Sequence, residues 1–303
     1  MERIFTFRFI MIVSLFCGFS STKLLAQENR EPNEPNQFGT NWHFHLSDTK
    51  PEEKSTFPDL IQSFNDWPKE KKVVALNLAV AGGIMAVGLS AWDYGSSPFR
   101  FRNEGWFGRD TKYGGADKLG HAYGSYVLAT LYKNIYKYWG YSDEEAITGG
   151  VLSSWSQMTL MEFADGFSAE HGFSWEDEVV NVAGVGMAYL RQKYPCLAEK
   201  MDFRLEWIPS SAFCKGDQSD PFTDYSGQKY LLAFKPDGFL KTDNFFLQAL
   251  ELHLGYYTRG YEGEEDSTPR RYTYIGLGLN VTYLLEQLTG HRAANIFDYI
   301  QVP

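Results

Sequence analysis

The chain has 303 residues, enough for one or two domains, and carries a formal net charge of -10. This acidity argues against nucleic acid as a partner. Aromatic residues make up 17% of the chain, which is typical of an envelope or interface protein rather than a cytosolic enzyme.

The N-terminus predicts a secretion signal. Arg3 and Arg8 give a basic start, residues 9–19 are apolar, and a more polar stretch leads to an expected cleavage point at Ala26. The apolar run is shorter than the ~20 residues of a membrane span, which favours cleavage over an uncleaved anchor. Cys17 lies in a poor lipidation motif, so we expect no lipid there. The predicted division of the chain is a signal peptide at 1–26, a polar linker at 27–70, a helical domain at 71–195 and a β region at 196–303.

An almost wholly apolar segment, Val73–Ala91, follows the linker. Its three glycines permit close contact between helices, and its length matches a membrane span. Trp92 and Tyr94 come next, where an aromatic belt would lie. A fully buried helix of a soluble bundle would have the same composition, so both interpretations stay open.

The remaining pattern predicts helices first and strands afterwards. Helices are expected at about 118–138, 144–164 and 175–192. Alternating aromatic and β-branched residues predict strands at Phe203–Ile208, Lys229–Phe234, Phe245–Tyr257 and Arg271–Leu285. The predicted fold class is α+β, with a membrane-associated bundle of about four helices followed by a small antiparallel β region. Known membrane barrels need about eight or more strands, so this sheet packs on the helices or is completed by another chain.

Two cysteines remain after export, Cys196 and Cys214. An even count in an oxidising compartment predicts one disulfide between them. Two free thiols are the alternative.

Polar residues gather in three places, each at the edge of an apolar helix rich in small residues. The candidate site residues are Asp117, Lys118, His121, Glu162, Asp165, Asp177 and Asn181. Unpaired burial of such groups costs several kcal/mol, so we expect them to meet in one shared polar centre.

The chemistry of this centre is left open by the sequence. Asp117 and His121 could hold a metal or orient a general base, although Asp117 could equally cap its helix and His121 be a satisfied core histidine. Asp177 could simply close a capping box with Ser174. No cofactor is expected, except that Asp117, His121, Glu162 and Asp177 could ligate a divalent cation. Such an oxygen-rich set suits Mg, Ca or Mn better than structural zinc. No recognised catalytic motif occurs, so the sequence does not decide whether the protein is an enzyme.

The clusters share an order of motifs: Asp-Lys-x-x-His, an acidic pair, then Gly-x-Ser-Trp-x-Asp and a glycine-containing helix. The matching positions are Asp117, Lys118, His121, Glu162, Asp165, Gly172, Ser174, Trp175, Asp177 and Gly184. Over about residues 104–190 the chain thus resembles the YfiM-like family of periplasmic lipoproteins, a domain of unknown function. The order of charged positions is also similar to VanZ-like membrane proteins. The resemblance implies an envelope location and a helical core, and it implies no reaction.

The leading hypothesis is an exported, membrane-associated structural or interaction protein whose polar centre locks the helices together. The alternative is an envelope enzyme or binding protein that acts on a lipid-linked or cell-wall-derived ligand. We expect a periplasm-facing protein and favour the outer membrane over the inner. The expected partners are the membrane and either another envelope protein or a second copy of this chain.

Overall fold

The computed structural model describes residues 62–217, 220–261, 268–290 and 295–302. The predicted signal peptide and most of the predicted linker lie outside these residues.

The first long helix, α1 (Lys69–Ala91), is apolar and has one uncovered side. Among the described residues, it is the one helix whose length and composition would let it cross a membrane. Val74, Leu78 and Leu89 are 58%, 68% and 64% exposed, and Gly88 alone is buried within this helix. Within the described residues α1 is therefore not a fully buried core helix, because one of its sides is uncovered.

The three predicted helices are confirmed, each to within two residues of the expected bounds. They are α2 (Ala116–Tyr138), α3 (Asp143–Asp165) and α4 (Trp175–Lys193). Side-chain caps set the start of two of them. At α3 the Ser142 hydroxyl accepts from the Glu145 N–H, while the Glu145 carboxylate accepts from the Ser142 N–H at 2.9 Å. At α4 the Ser174 hydroxyl accepts from the Asp177 N–H at 3.2 Å.

Helix α2 packs against both α3 and α4, and two glycines allow the backbones to approach closely. A Cβ on Gly150 of α3 would lie 2.7 Å from the Ala129 carbonyl oxygen. A Cβ on Gly184 of α4 would overlap the Ala122 carbonyl oxygen. The pairs in contact show that α2 and α4 run parallel and α3 runs antiparallel to them. The first turns of α2 and α4 therefore lie beside the last turn of α3.

The predicted antiparallel β region is confirmed as a sheet of strands in chain order. Its members are β1 (Met201–Trp207), β2 (Gln228–Phe234), β3 (Leu250–Arg259) and β4 (Arg270–Leu279). One face packs on the bundle, where Phe203 and Tyr230 contact Tyr126 of α2 and Val185 of α4. Short helices connect or follow the strands: α5 (Pro195–Ala198), α6 (Ser211–Lys215), α7 (Pro236–Leu240), α8 (Phe245–Ala249) and α9 (Val281–Thr289).

Two predicted strands are wrong at one end. The segment Phe245–Ala249 forms α8 because the Asn244 side chain accepts from two N–H groups of that helix. Likewise β4 ends at Leu279, since the Asn280 side chain accepts from the Tyr283 N–H and starts α9. Aromatic and aliphatic residues suit either structure, and the capping asparagines favour the helix.

The predicted disulfide is wrong in this structure. Cys196 and Cys214 are both free and exposed. Cys196 lies in α5 ahead of β1, and Cys214 lies in α6 beyond it. A seven-residue strand such as β1 spans roughly 23 Å, whereas a disulfide needs Cα atoms within about 7 Å. The even cysteine count therefore does not correspond to a pair in space.

Candidate functional site

The candidate site lies at the end of the bundle where α2 and α4 begin and α3 ends. We use the name polar centre for the side chains that meet there: Glu104, Asp117, Lys118, His121, Glu162, Asp165 and Asp177. They come from three helices and from the loop that precedes α2. The structure thus brings together the predicted site residues other than Asn181, and it adds Glu104.

Lys118 is the buried cation of the polar centre. Its Nζ lies 2.8 Å from Glu104, 2.9 Å from Asp117 and 2.8 Å from Asp177, and the residue is 0% exposed. Burial alone would lower the Lys118 pKa, but the charges of these carboxylates outweigh it and raise that pKa above its usual range. For Glu104 the two effects are reversed. Burial alone would raise its pKa, but the Lys118 charge holds that pKa below its usual value. Lys118 therefore stays charged and joins α2, α4 and the preceding loop.

His121, Glu162 and Asp177 form a second group beside Lys118. The His121 Nδ1 atom lies 3.2 Å from Glu162 Oε1. One donor atom from each of the three residues lies within 4.8 Å of the other two. Within the described chain, His121 Nδ1, Glu162 Oε1 and Asp177 Oδ1 are buried and make no hydrogen bond. His121 is therefore not a satisfied core histidine.

The carboxylates on the α3 side are held towards their neutral forms. Burial, followed by the charge of Asp177, raises the Glu162 pKa well above its usual value. Burial also raises the Asp165 pKa to about 7, although His121 opposes this shift. Burial raises the pKa of Asp177 as well. Tyr94, buried beside Asp165, has a pKa raised first by burial and then by the Asp165 charge. The described groups thus supply too little positive charge for all these carboxylates to ionise.

The side chains of Asp117 and Asp177 contact Lys118 rather than cap their helices. Gly115, with a positive φ of 88°, is the N-cap of α2, and Asp117 instead contacts Lys118. The Asp177 N–H does bind Ser174, but the Asp177 carboxylate is directed to Lys118 at 2.8 Å. Both carboxylates are therefore available to the polar centre.

Asn181 lies one turn further along α4, away from the carboxylates. Its Oδ1 accepts from the Ser125 hydroxyl at 2.9 Å, and Ser154 donates to the Ser125 carbonyl at 2.8 Å. These bonds join α2, α3 and α4 below the polar centre. Asn181 is thus a contact between helices rather than a member of the acidic group.

An aromatic cluster surrounds the exposed edge of this end of the bundle. The Phe99 ring lies 5.2 to 6.2 Å from the rings of Phe101, Phe163, Phe167 and Phe173. Phe101 is 76% exposed. The polar centre reaches the surface nearby, since the side chains of His121 and Glu104 are 15% and 17% exposed.

In a second buried ionic group, within the sheet, the carboxylates are paired with an arginine. Arg204 donates to Asp202 at 2.6 Å and to both oxygens of Glu251 at 2.7 Å. Burial would raise the Glu251 pKa, but a hydrogen bond from His253 and the adjacent Arg204 lower it overall. Glu251 is thus paired with an arginine, whereas the ion-pair partner of Glu162 is His121, which is charged only when protonated.

Comparison with known proteins places the polar centre in a defined segment. Residues 103–193 match the model of a family described as "Predicted periplasmic lipoprotein (DUF2279)". The match covers less than a third of the chain, includes α2, α3, α4 and Glu104, and leaves the sheet outside. No curated protein and no solved structure matches this chain. The family description supports an exported envelope protein and names no activity.

Proposed function

We propose that this chain is a membrane-associated structural protein of the cell envelope, whose polar centre locks α2, α3 and α4 together. The observation that supports this most is the apolar outer side of the bundle. Besides α1, exposed apolar side chains lie on α3 and α4: Leu152, Trp155, Phe163, Val179, Val182 and Leu190. Because α3 packs against both α1 and α4, these surfaces adjoin one another. Soluble monomers rarely expose contiguous apolar areas beyond a few hundred Å².

The locking role rests on Lys118 together with His121. The Lys118 ammonium lies within 2.9 Å of carboxylates from α2, α4 and the loop before α2. His121 of α2 lies 3.2 Å from Glu162 of α3. Removing one partner of a buried ion pair strongly destabilises the folded protein, because the other charge stays buried. Lys118 therefore favours one arrangement of the helices over others.

Within this proposal, α1 lies in the bilayer and the aromatic cluster around Phe99 lies near its surface. Aromatic rings concentrate at the level of lipid headgroups. We propose that this membrane is the outer membrane. Exposed aromatic and aliphatic side chains of β3 and β4 would add further apolar surface for contact with it. Leu254 and Ile275, which are paired across these strands, are 46% and 77% exposed.

Fractionation of cells that express the full chain tests the membrane part. We expect wild-type protein to pellet with membranes and to resist a high-salt wash. A Val74→Asp, Leu78→Asp variant should shift to the soluble fraction, since it places charges on the exposed side of α1. A matched Leu240→Asp, Leu288→Asp variant changes exposed leucines outside the bundle and should stay with the membranes.

Wild-type protein found wholly in the soluble fraction would contradict membrane association. Release of both variants to the same degree would show that the substitutions act on solubility in general. Separation of the two membranes by density then tests the proposed outer-membrane location.

A second function is favoured by one specific observation, the unpaired atoms of His121, Glu162 and Asp177 close to the surface. A purely structural network would leave fewer buried groups unsatisfied. The second candidate is an envelope enzyme or binding protein acting on a lipid-linked or cell-wall-derived ligand. If the polar centre is only structural, His121→Ala and Glu162→Gln should both lower the unfolding temperature. Unchanged stability together with loss of a bound ligand would favour the second candidate.

A further inference from the structure

Three buried polar atoms at the end of the bundle lie together without a hydrogen bond. They are His121 Nδ1, Glu162 Oε1 and Asp177 Oδ1, and no described residue forms a hydrogen bond with them. Glu162 and Asp177 are only 1% and 3% exposed, so bulk water does not pair these oxygens. Leaving such groups unpaired is costly, and one ligand that contacts all three would remove that cost.

The spacing of the three side chains suits a single metal ion. Their donor atoms lie within 4.8 Å of one another, and His121 Nδ1 lies 3.2 Å from Glu162 Oε1. Ligands bound about 2.1–2.3 Å from a shared cation are themselves roughly 3–4.5 Å apart. The donors come from α2, α3 and α4, whose close approach depends on Gly150 and Gly184. The bundle itself therefore holds the donors at this spacing.

The adjacent acidic group provides an internal comparison. Donor atoms of Glu104, Asp117 and Asp177 also lie within 4.8 Å of one another. There the Lys118 ammonium donates to Glu104 and to Asp177 at 2.8 Å and lies 2.9 Å from Asp117. Asp177 belongs to both groups, with Oδ2 bonded to Lys118 and Oδ1 unpaired. Lys118 thus offsets charge in the first group.

We propose that His121, Glu162 and Asp177 bind one divalent cation, with Asp177 bridging the ion and Lys118. Two carboxylate oxygens favour a hard cation, while an imidazole nitrogen is a poor ligand for Mg²⁺ and Ca²⁺. Mn²⁺ accepts both kinds of donor and is the ion class that fits this set. The partly exposed His121 ring gives the ion a route to solvent. This inference does not depend on membrane association.

Titration of purified full-length protein with Mn²⁺, followed by electron paramagnetic resonance of the free ion, tests the proposal. We expect saturable binding of one ion per chain. Glu162→Gln and His121→Ala should each weaken binding by at least about tenfold, since each removes a ligand. Glu144→Gln is the matched control, because Glu144 lies at the other end of α3, is exposed and pairs with Lys193. We expect its Mn²⁺ affinity to be unchanged from wild type.

Circular dichroism of each variant shows whether it is folded. If Glu162→Gln does not fold, the result for His121→Ala decides the question, because that side chain lies at the edge of the site. The absence of saturable Mn²⁺ binding by wild type overturns the proposal. Equal weakening by Glu144→Gln and Glu162→Gln also overturns it, because the effect would then be one of net charge. Membrane fractionation of the same variants is expected to be unchanged, so the two proposals can fail separately.

Discussion

The substitution Lys118→Met tests the structural role of the polar centre most directly. Methionine keeps an unbranched apolar side chain that ends where the lysine ammonium begins, which leaves Glu104, Asp117 and Asp177 without their cation. The Glu104 and Asp117 side chains are 17% and 10% exposed and can gain some water, whereas Asp177 at 4% cannot. Breaking a buried pair in this way costs about 3–5 kcal/mol.

Thermal unfolding of the full chain, followed by circular dichroism at neutral pH, measures this loss. For a chain of this size the unfolding temperature shifts by roughly 2 °C per kcal/mol, so it should fall by roughly 6–10 °C. Lys137→Met is the matched control on the same helix. Lys137 lies 2.8 Å from Asp143, but these side chains are 37% and 78% exposed. An exposed pair of this kind contributes at most about 1 kcal/mol. An equal fall in unfolding temperature in the two variants would refute the argument that burial makes the Lys118 ion pairs important for stability.

Two further predictions follow from groups already described. Because the Asp165 pKa is raised to about 7 in the folded chain, the folded state keeps a proton that the unfolded chain loses near pH 4. With a chelator present, the free energy of unfolding should therefore fall as pH rises from about 4 to 7, by up to about 4 kcal/mol, and Asp165→Asn should flatten this dependence in urea titrations. An unchanged pH profile in that variant would contradict the assignment to Asp165. Separately, a thiol reagent added to the folded, unreduced protein should modify Cys196 and Cys214, and protection of both would show that they are paired after all.

The helical part of the fold could be predicted because its signals are local. Ser142 and Ser174 mark the starts of α3 and α4 through bonds to residues three positions on. The long apolar run of α1 also shows directly in the sequence. The sequence could not show that one side of α1 stays uncovered, since that depends on where the other helices pack.

The predictions that are wrong or incomplete concern contacts between residues that are far apart in the sequence. Glu104 lies in a loop with no periodic pattern, and its contact with Lys118 exists only once the loop folds back on α2. The even cysteine count predicts a disulfide between Cys196 and Cys214, but β1 lies between them and both are free. The clustering of His121 and Glu162 was expected from burial, and the structure brings them to 3.2 Å. Whether that site binds a ligand stays a prediction.

The contacts of Lys118 also constrain the order in which the bundle can fold. Glu104 precedes Lys118 by 14 residues, whereas Asp177 follows it by 59 residues. An exported chain emerges from its N-terminal side, so the lysine and Glu104 arrive well before α4. Contacts across long loops form later, because the entropy of loop closure must be overcome first. On the side that faces Asp177, Lys118 must therefore remain hydrated until α4 arrives, and the closure of α4 onto α2 is a late event.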